Sequence, residues 1–328
     1  MEEPLCIAFL GTADFAVPTL RALAAGPDDI VGVFTRPDRP AGRGRRLRAS
    51  PVKVAAQGLG LTVFQPERVS EADGLGILRE LAPALVVVVA FGEVVSAEVL
   101  SVPTLGAVNL HASLLPRYRG AAPIQRALMA GATETGVTVQ WMIEELDAGD
   151  IILQRAAAIE AEESFGSLHD RLAALGAEAA REGVALVRSM HRLRSMHRVR
   201  EGRRPGRPQV HEEASQAPSI RRDELVVDWT KSAATVVNLV RAFSPRPGAR
   251  TTDKRGLLKV LAAREGKNLL GERGIPGQIM ELSDEGLVVA AGRGSVLVLR
   301  VQAAGGKAMS AADYLKGHRL RPGEQLGG

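Results

Sequence analysis

The run Ala84–Phe91 is eight apolar residues without a break, with four consecutive valines at 86–89. A strand with one face in water alternates apolar and polar side chains, because successive side chains point to opposite faces. A β-branched run that does not alternate reads, over Leu85 to Ala90, as a strand buried on both sides. Such a strand needs helices above and below it, so the expected fold is α/β with an open, largely parallel sheet. The flanking sequence agrees. Leu5 to Leu10 is a second apolar run, followed by helix material to Ala25 and a strand at Ile30 to Thr35. Ser50-Pro51 opens another helix, with serine as N-cap and proline at the first helical position. Strands at about 105–110, 136–143 and 151–159 and a long helix from Ser167 to Ser189 complete this part.

For 328 residues two domains are the natural division. Residues 188–198 read Arg-Ser-Met-His-Arg-Leu-Arg-Ser-Met-His-Arg, an imperfect duplication of a six-residue unit. They run into Glu-Gly-Arg-Arg-Pro-Gly-Arg-Pro, which cannot hold a regular element. The boundaries that follow are a first domain over 1–190, a basic linker over 191–211 and a second domain over 212–328. His191 and His197 repeat at six residues instead of the four that put two ligands on one helix face, and no acidic or cysteine partner accompanies them. A metal site is therefore not expected there. From about residue 219 the texture changes to one helix, Ser232 to Phe243, and short strands near 256–262, 277–282, 286–291 and 295–301. Glycine and aspartate turns separate the strands, which points to a small OB-like β-barrel.

Charge is unevenly spread. Residues 1–190 carry 17 basic and 23 acidic side chains, residues 191–211 carry 7 and 1, and residues 212–328 carry 18 and 13. Within the acidic first part, Arg36 to Lys53 holds seven basic residues and only Asp38. A basic loop on an acidic body can meet a polyanion locally while the body repels one elsewhere. The alternative is a solvated charge run in an arginine-rich chain, since 35 of the 42 basic residues are arginine. A single cysteine, Cys6, cannot form an internal disulfide and reads as a small core residue. The six apolar residues before Gly11 are too few for a signal peptide, and the longest apolar run falls far short of the about twenty needed to span a membrane. The expectation is a cytoplasmic protein without a membrane anchor.

The segment Leu105 to Asp150 holds the residues best suited to chemistry. Asn109 and His111 lie two apart on an expected strand, so they share a face near its carboxyl end, where open α/β sheets place ligands. Asp147 follows in Leu-Asp-Ala-Gly-Asp. Asparagine, histidine and aspartate without a cysteine or serine nucleophile suit direct acyl transfer to an amine. Asn109 and protonated His111 can each donate to the oxyanion, and Asp147 can hold the imidazole. Losing one such donor costs roughly 10²- to 10³-fold in rate. Two plainer readings stand beside this one: a satisfied structural histidine, and an aspartate that caps a turn. Ser113 could also be a nucleophile with His111, but the G-x-S-x-G turn is missing.

The run Asn109 to Pro116 resembles the family of 10-formyltetrahydrofolate-dependent formyltransferases, whose Asn, His and Asp trio matches Asn109, His111 and Asp147. Four further stretches narrow the resemblance to the branch that acts on methionyl-tRNA: Gly11 to Ala16, Thr35 to Lys53, Arg119 to Gln125, and Gly305 to Ser310. The similarity covers roughly 5–190 and 217–325.

The resemblance implies a Rossmann-like domain joined to an OB-like tRNA-binding domain. It implies formyl transfer from 10-formyltetrahydrofolate, as cosubstrate and without a metal, to the methionine amino group of initiator Met-tRNA, by a monomer. The pterin would lie beside Val89, Ala90, Phe91 and Gly92 and the loop containing Asp147. Ser113, Leu114, Leu115, Pro116, Arg117, Gly120, Ala121 and Ala122 would complete the folate site. Arg43 matches the key arginine of the basic loop, and Arg39, Arg45, Arg46, Arg48 and Lys307 join it as tRNA-binding candidates. Phe15 is the candidate wall for the methionine side chain; its other reading is a core aromatic. Arg246 stands where the family usually has an aromatic, Gln216 where a tyrosine is common, and the duplicated stretch is foreign to the pattern. Two rivals remain. Formyl transfer to a small amine would need neither the basic loop nor the barrel, and an inert nucleic-acid-binding scaffold would not need an intact trio.

Overall fold

The computed structural model describes residues 4–41, 46–197, 206–266, 274–318 and 320–327. The chain forms two compact units, one of residues 1–121, 135–157 and 170–217, the other of 122–134, 158–169 and 218–328.

In the first unit, β1 (Cys6–Gly11), α1 (Val17–Ala24) and β2 (Asp29–Phe34) are followed by a hairpin of β3 (Arg39–Ala41) and β4 (Arg46–Arg48). Then come α2 (Pro51–Gly58), β5 (Val63–Phe64), α3 (Ala72–Leu81), β6 (Leu85–Val89), α4 (Ala97–Ser101) and β7 (Gly106–His111). After α5 (Pro123–Met129), which belongs to the second unit, β8 (Glu134–Trp141), β9 (Ile151–Ala158) and α6 (Phe165–His197) follow. The sheet order is β5-β2-β1-β6-β7-β8-β9, parallel from β5 through β7, with β8 antiparallel to β7. The open α/β sheet expected from the valine run is present. All five residues of β6 are buried, as a strand flanked by β1 and β7 requires. One layer of the core gathers Ala8, Leu10, Phe34, Leu78, Val86, Val88 and Val99.

Helix α2 begins as expected: the Ser50 side chain accepts from Lys53 N at 3.0 Å and Pro51 takes the first helical position. Helix α6 departs from expectation. It starts at Phe165 and continues through His197, eight residues past Ser189, so much of the duplicated Arg-Ser-Met-His-Arg stretch is helical. Leucine, arginine and methionine favour helix, and the first glycine after it, Gly202, comes five residues beyond its end. The helix fits closely on the sheet, since a Cβ at Gly176 or Gly183 would stand 2.8 Å from Leu110 or Val139. Arg188 Nη2 reaches the buried Asp28 carboxylate at 2.5 Å, and the other oxygen of Asp28 accepts from Leu5 N at 3.0 Å.

The second unit contains α7 (Ala233–Phe243), capped by Ser232, then β10 (Ala249–Asp253), β11 (Gly256–Glu265), β12 (Ile279–Leu282), β13 (Leu287–Ala290), β14 (Ser295–Ala303), β15 (Met309–Ser310) and α8 (Ala311–His318). The sheet is antiparallel in the order β10-β11-β14-β13-β12, with β15 on β14. Val236 and Val240 of α7 join Leu258, Val260, Val289, Val298 and Val301 in its core, and Trp229 donates to Thr251 Oγ1 at 3.1 Å. Strand β10 and helix α8 are additions to the elements expected here. Among the described residues no helix is long and apolar enough to cross a membrane.

Candidate active site

Strands β1, β6 and β7 end level with one another: Gly11 pairs with Val89, and Val89 with Leu110. From β1 the chain moves to β2 on one side, while β6 lies on the other, so the sheet order reverses between β1 and β6. Ligands of open α/β sheets bind outside the carboxyl ends of strands at such a reversal. Asn109 and His111 sit at this end of β7 and share a face.

Asp147 comes to them from the loop after β8. Its Oδ1 accepts from Asn109 Nδ2 at 3.2 Å and from Gln140 Nε2 at 3.0 Å. Its Oδ2 accepts from Gly120 N at 2.9 Å and lies 3.5 Å from His111 Nδ1. The His111 and Asp147 side chains are only 7% and 9% exposed, so this is a carboxylate held among donors away from bulk water. His111 Nε2 is 2.9 Å from Tyr118 O. A carbonyl accepts only, so Nε2 is the donor in that bond. Both polar ends that the sequence offers to an oxyanion are thus engaged by protein acceptors, Asn109 by Asp147 and His111 by Tyr118.

The loop from Ser113 to Gly120 is shaped by its own hydrogen bonds. Ser113 is buried, and its Oγ donates to Arg117 O at 2.6 Å while its carbonyl accepts from Thr138 Oγ1 at 2.6 Å. That commits the hydroxyl to the turn instead of His111, against a nucleophilic serine. Leu115 N donates to Thr138 Oγ1 at 3.2 Å, and Leu115 is buried while Leu114 and Pro116 are partly exposed and Arg117 is exposed. Gly120 has φ 122°, and a Cβ there would stand 2.7 Å from Ala217 O, so only glycine brings this N–H to Asp147. Ala121 is exposed and Ala122 buried.

At the end of β6, Ala90 is exposed with φ 42° and Gly92 has φ 81°, while Phe91 is buried. Thr12 N and Ala13 N both donate to Ala90 O at 3.3 Å, and Thr12 Oγ1 donates to Phe91 O at 2.8 Å, tying the end of β1 to this loop. Phe15 lies in the short turn Asp14–Ala16 after β1 and is 6% exposed.

The basic segment is a hairpin in which Arg39 pairs with Arg48 and Ala41 with Arg46. Arg39 and Arg48 are exposed. Arg43 and Arg45 lie outside the described residues, as does the side chain of Arg46. Lys53 anchors the base of the segment at 2.8 Å from Asp38, whose carboxyl is held below the usual 3.8 by hydrogen bonds from Lys53 and Gln65. Lys307 is exposed between β14 and β15, and Arg246 is exposed after α7. Among the described residues no group of three or more His, Cys, Asp and Glu is placed to hold a metal ion.

Three residues of this cluster were not expected from the sequence: Gln140, Gln209, whose Nε2 donates to Asp147 O at 2.9 Å, and Arg119, whose Nη2 donates to Gln209 Oε1 at 2.8 Å. Gln140 carried a weak signal, standing between Val139 and Trp141 on a strand that is buried from Thr135 onward and pairing with Asn109. Gln209 carried none, because it follows the proline-rich stretch and meets the site only through the fold.

The sequence matches the Formyl transferase family over residues 5–184 and the Formyl transferase C-terminal domain over 219–319. It is 45% identical over 322 residues to the methionyl-tRNA formyltransferase of Moorella thermoacetica, covering 98% of this chain and 99% of the relative. The protein of the same name from Acidithiobacillus ferrooxidans is 43% identical over the whole of both chains. Among solved structures, the N-formyltransferase from Helicobacter canadensis, in complex with folinic acid and dTDP-3-aminofucose, matches with a TM-score of 0.65 at 16% identity over 90% of this chain and 98% of that one. At that identity the likeness is one of fold. The family match and the full-length relatives together mean that the chain belongs to the formyl transferase family, in its methionyl-tRNA formyltransferase branch.

Proposed function

We propose that this chain transfers the formyl group of 10-formyltetrahydrofolate to the amino group of methionine on initiator tRNA, as a cytoplasmic monomer that needs no metal. The observation that carries the chemistry is the convergence of Asn109 and His111 on the buried carboxylate of Asp147, 38 residues beyond Asn109 in sequence. The full-length similarity to methionyl-tRNA formyltransferases carries the choice of acceptor.

In this reading the amine attacks the formyl carbon, a new C–N bond forms, the bond from that carbon to N10 of the folate breaks, and one proton passes from the amine to N10. Negative charge develops on the formyl oxygen before the second bond breaks. Asn109 Nδ2 and the His111 ring donate to it, exchanging Asp147 and the Tyr118 carbonyl for the new acceptor. His111 also carries the proton, and Asp147 keeps its ring in one orientation. The folate site runs from Val89 to Gly92, through Ser113 to Arg117, to Gly120, Ala121 and Ala122. The exposed residues Ala90 and Gly92 beside the buried Phe91 support that choice, since they leave the chain open to a ligand at the end of β6.

Arg39, Arg43, Arg45, Arg46, Arg48 and Lys307 bind the tRNA, and Phe15 walls the methionine side chain. Support for the arginines is charge: a basic stretch on an otherwise acidic part of the chain, with Arg39 and Arg48 exposed, attracts phosphates, and Lys307 is exposed in the basic second half. The test is single-turnover transfer to initiator Met-tRNA beside elongator Met-tRNA and glycinamide ribonucleotide at fixed salt. Fast transfer to the initiator species alone is expected. Transfer to the ribonucleotide alone would keep the trio and discard the tRNA.

A further inference from the structure

Two buried side chains outside the trio are joined to it by a chain of oriented amides. Arg119 and Gln209 are 4% and 6% exposed and 90 residues apart in sequence. The Arg119 guanidinium donates through Nε at 3.1 Å and Nη2 at 2.8 Å to Gln209 Oε1. A guanidinium has no acceptor, so this fork fixes which end of the Gln209 amide is oxygen. Its nitrogen then faces Gln140 Oε1 at 3.1 Å, Asp147 O at 2.9 Å and Gly149 O at 2.8 Å. Gln140 is oriented in turn: its oxygen accepts from Gln209, so its nitrogen donates to Asp147 Oδ1 at 3.0 Å.

The backbone bonds are as telling as the amide chain. Asp147 has φ 51°, a left-handed conformation unfavourable for a residue with a Cβ, and Gln209 ties down the carbonyls of Asp147 and of Gly149 two residues on. Gln209 is itself anchored on both sides. Arg207 exchanges backbone hydrogen bonds with Ile151 at 2.8 Å, and Tyr118 N and Arg119 N donate to Ser215 Oγ and O at 2.9 and 2.8 Å.

We propose that Gln209, oriented by Arg119, is a positioning residue that holds the Asp147 loop and aims its carboxylate at Asn109 and His111. It touches Asp147 and Gln140, and it acts on the reaction only through them. The catalytic consequence rests on the formyl-transfer reading; the structural consequence does not.

The test uses the full chain with Gln209→Glu, which keeps an acceptor for Arg119 but offers no donor to the three oxygens, and Gln209→Ala, which removes both. Thermal melts report folding, single-turnover and steady-state transfer to initiator Met-tRNA report function, and the NMR signals of the His111 ring report the site without substrate. In each variant that folds, kcat is expected to fall roughly ten- to hundredfold with KM for either substrate within about twofold. The His111 signals are expected to move toward their positions in Asp147→Asn. His111 signals that stay in place, or a loss of kcat that only follows the loss of folded protein, would overturn the proposal, as would collapse of both variants. If the unsubstituted protein transfers nothing to Met-tRNA while the His111 signals still move in the variants, the reading of function fails and the positioning role stands.

Discussion

Around Asp147, one carboxylate at 9% exposure is met by Asn109, Gln140, the Gly120 N–H and the His111 ring; over residues 36–53, seven cations accompany a single aspartate, with Arg39 and Arg48 exposed on the paired strands β3 and β4. In the first region the four partners stand 2.9 to 3.5 Å from the carboxylate oxygens, and low dielectric makes every hydrogen bond count and every loss severe. In the second, apart from the Lys53–Asp38 pair at its base, exposed charges such as Arg39 and Arg48 act through solvent, and salt sets their reach at about 10 Å at 0.1 M. Geometry should therefore control transfer, and ionic strength should control encounter with the tRNA.

The strongest way to break that contrast is at Asp147. Asp147→Asn is expected to lower single-turnover transfer at saturating tRNA by roughly 10²- to 10⁴-fold, while tRNA affinity and its salt dependence stay those of the parent. A matching fall in tRNA affinity would merge the two regions. Arg43→Ala probes the other side. Its kcat/KM for Met-tRNA is expected to drop about tenfold at moderate salt, with the log–log salt slope shallower by roughly 0.7 to 0.9 for each phosphate that is no longer neutralised. Unchanged kcat/KM would remove Arg43 from the tRNA surface.

Two smaller effects sharpen the comparison by testing structure alone. Ser50 accepts from Lys53 N and lies 2.7 Å from Thr35 Oγ1, so it caps the helix that follows the hairpin. Ser50→Ala is expected to cost about 1 kcal/mol in urea unfolding, with transfer by the folded protein unaltered. In the second unit, Arg126 Nη1 reaches Glu224 at 2.6 Å and holds that carboxyl below its usual 4.5. A depressed carboxylate contributes stability above its unfolded pKa and loses it as pH falls through the folded value. The difference in Tm between the parent and Arg126→Gln, worth under about 1 kcal/mol at pH 7, is thus expected to close as pH drops below 4.5.

Much of the first sheet was legible because its signals are local. The unbroken valines mark β6, and Ser50-Pro51 marks the start of α2. Asn109 and His111 were legible for the same reason, being two apart on one strand. The hairpin at 39–48 was not, since an arginine-rich stretch lacks the alternation that announces paired strands, and α6 overran its expected end because nothing before Gly202 stops a helix. The supports of Asp147 were hidden for a different reason. Gln209 meets Gln140 across 69 residues and Arg119 across 90, and a glutamine after Pro-Gly-Arg-Pro gives no hint that it will be buried.

The most direct measurement is of His111→Ala, with single-turnover formyl transfer and equilibrium binding of initiator Met-tRNA read on the same preparation. Transfer lower by roughly 10²-fold or more with tRNA binding intact is the expected result. Binding and transfer that fall together would make His111 a structural residue and contradict the account.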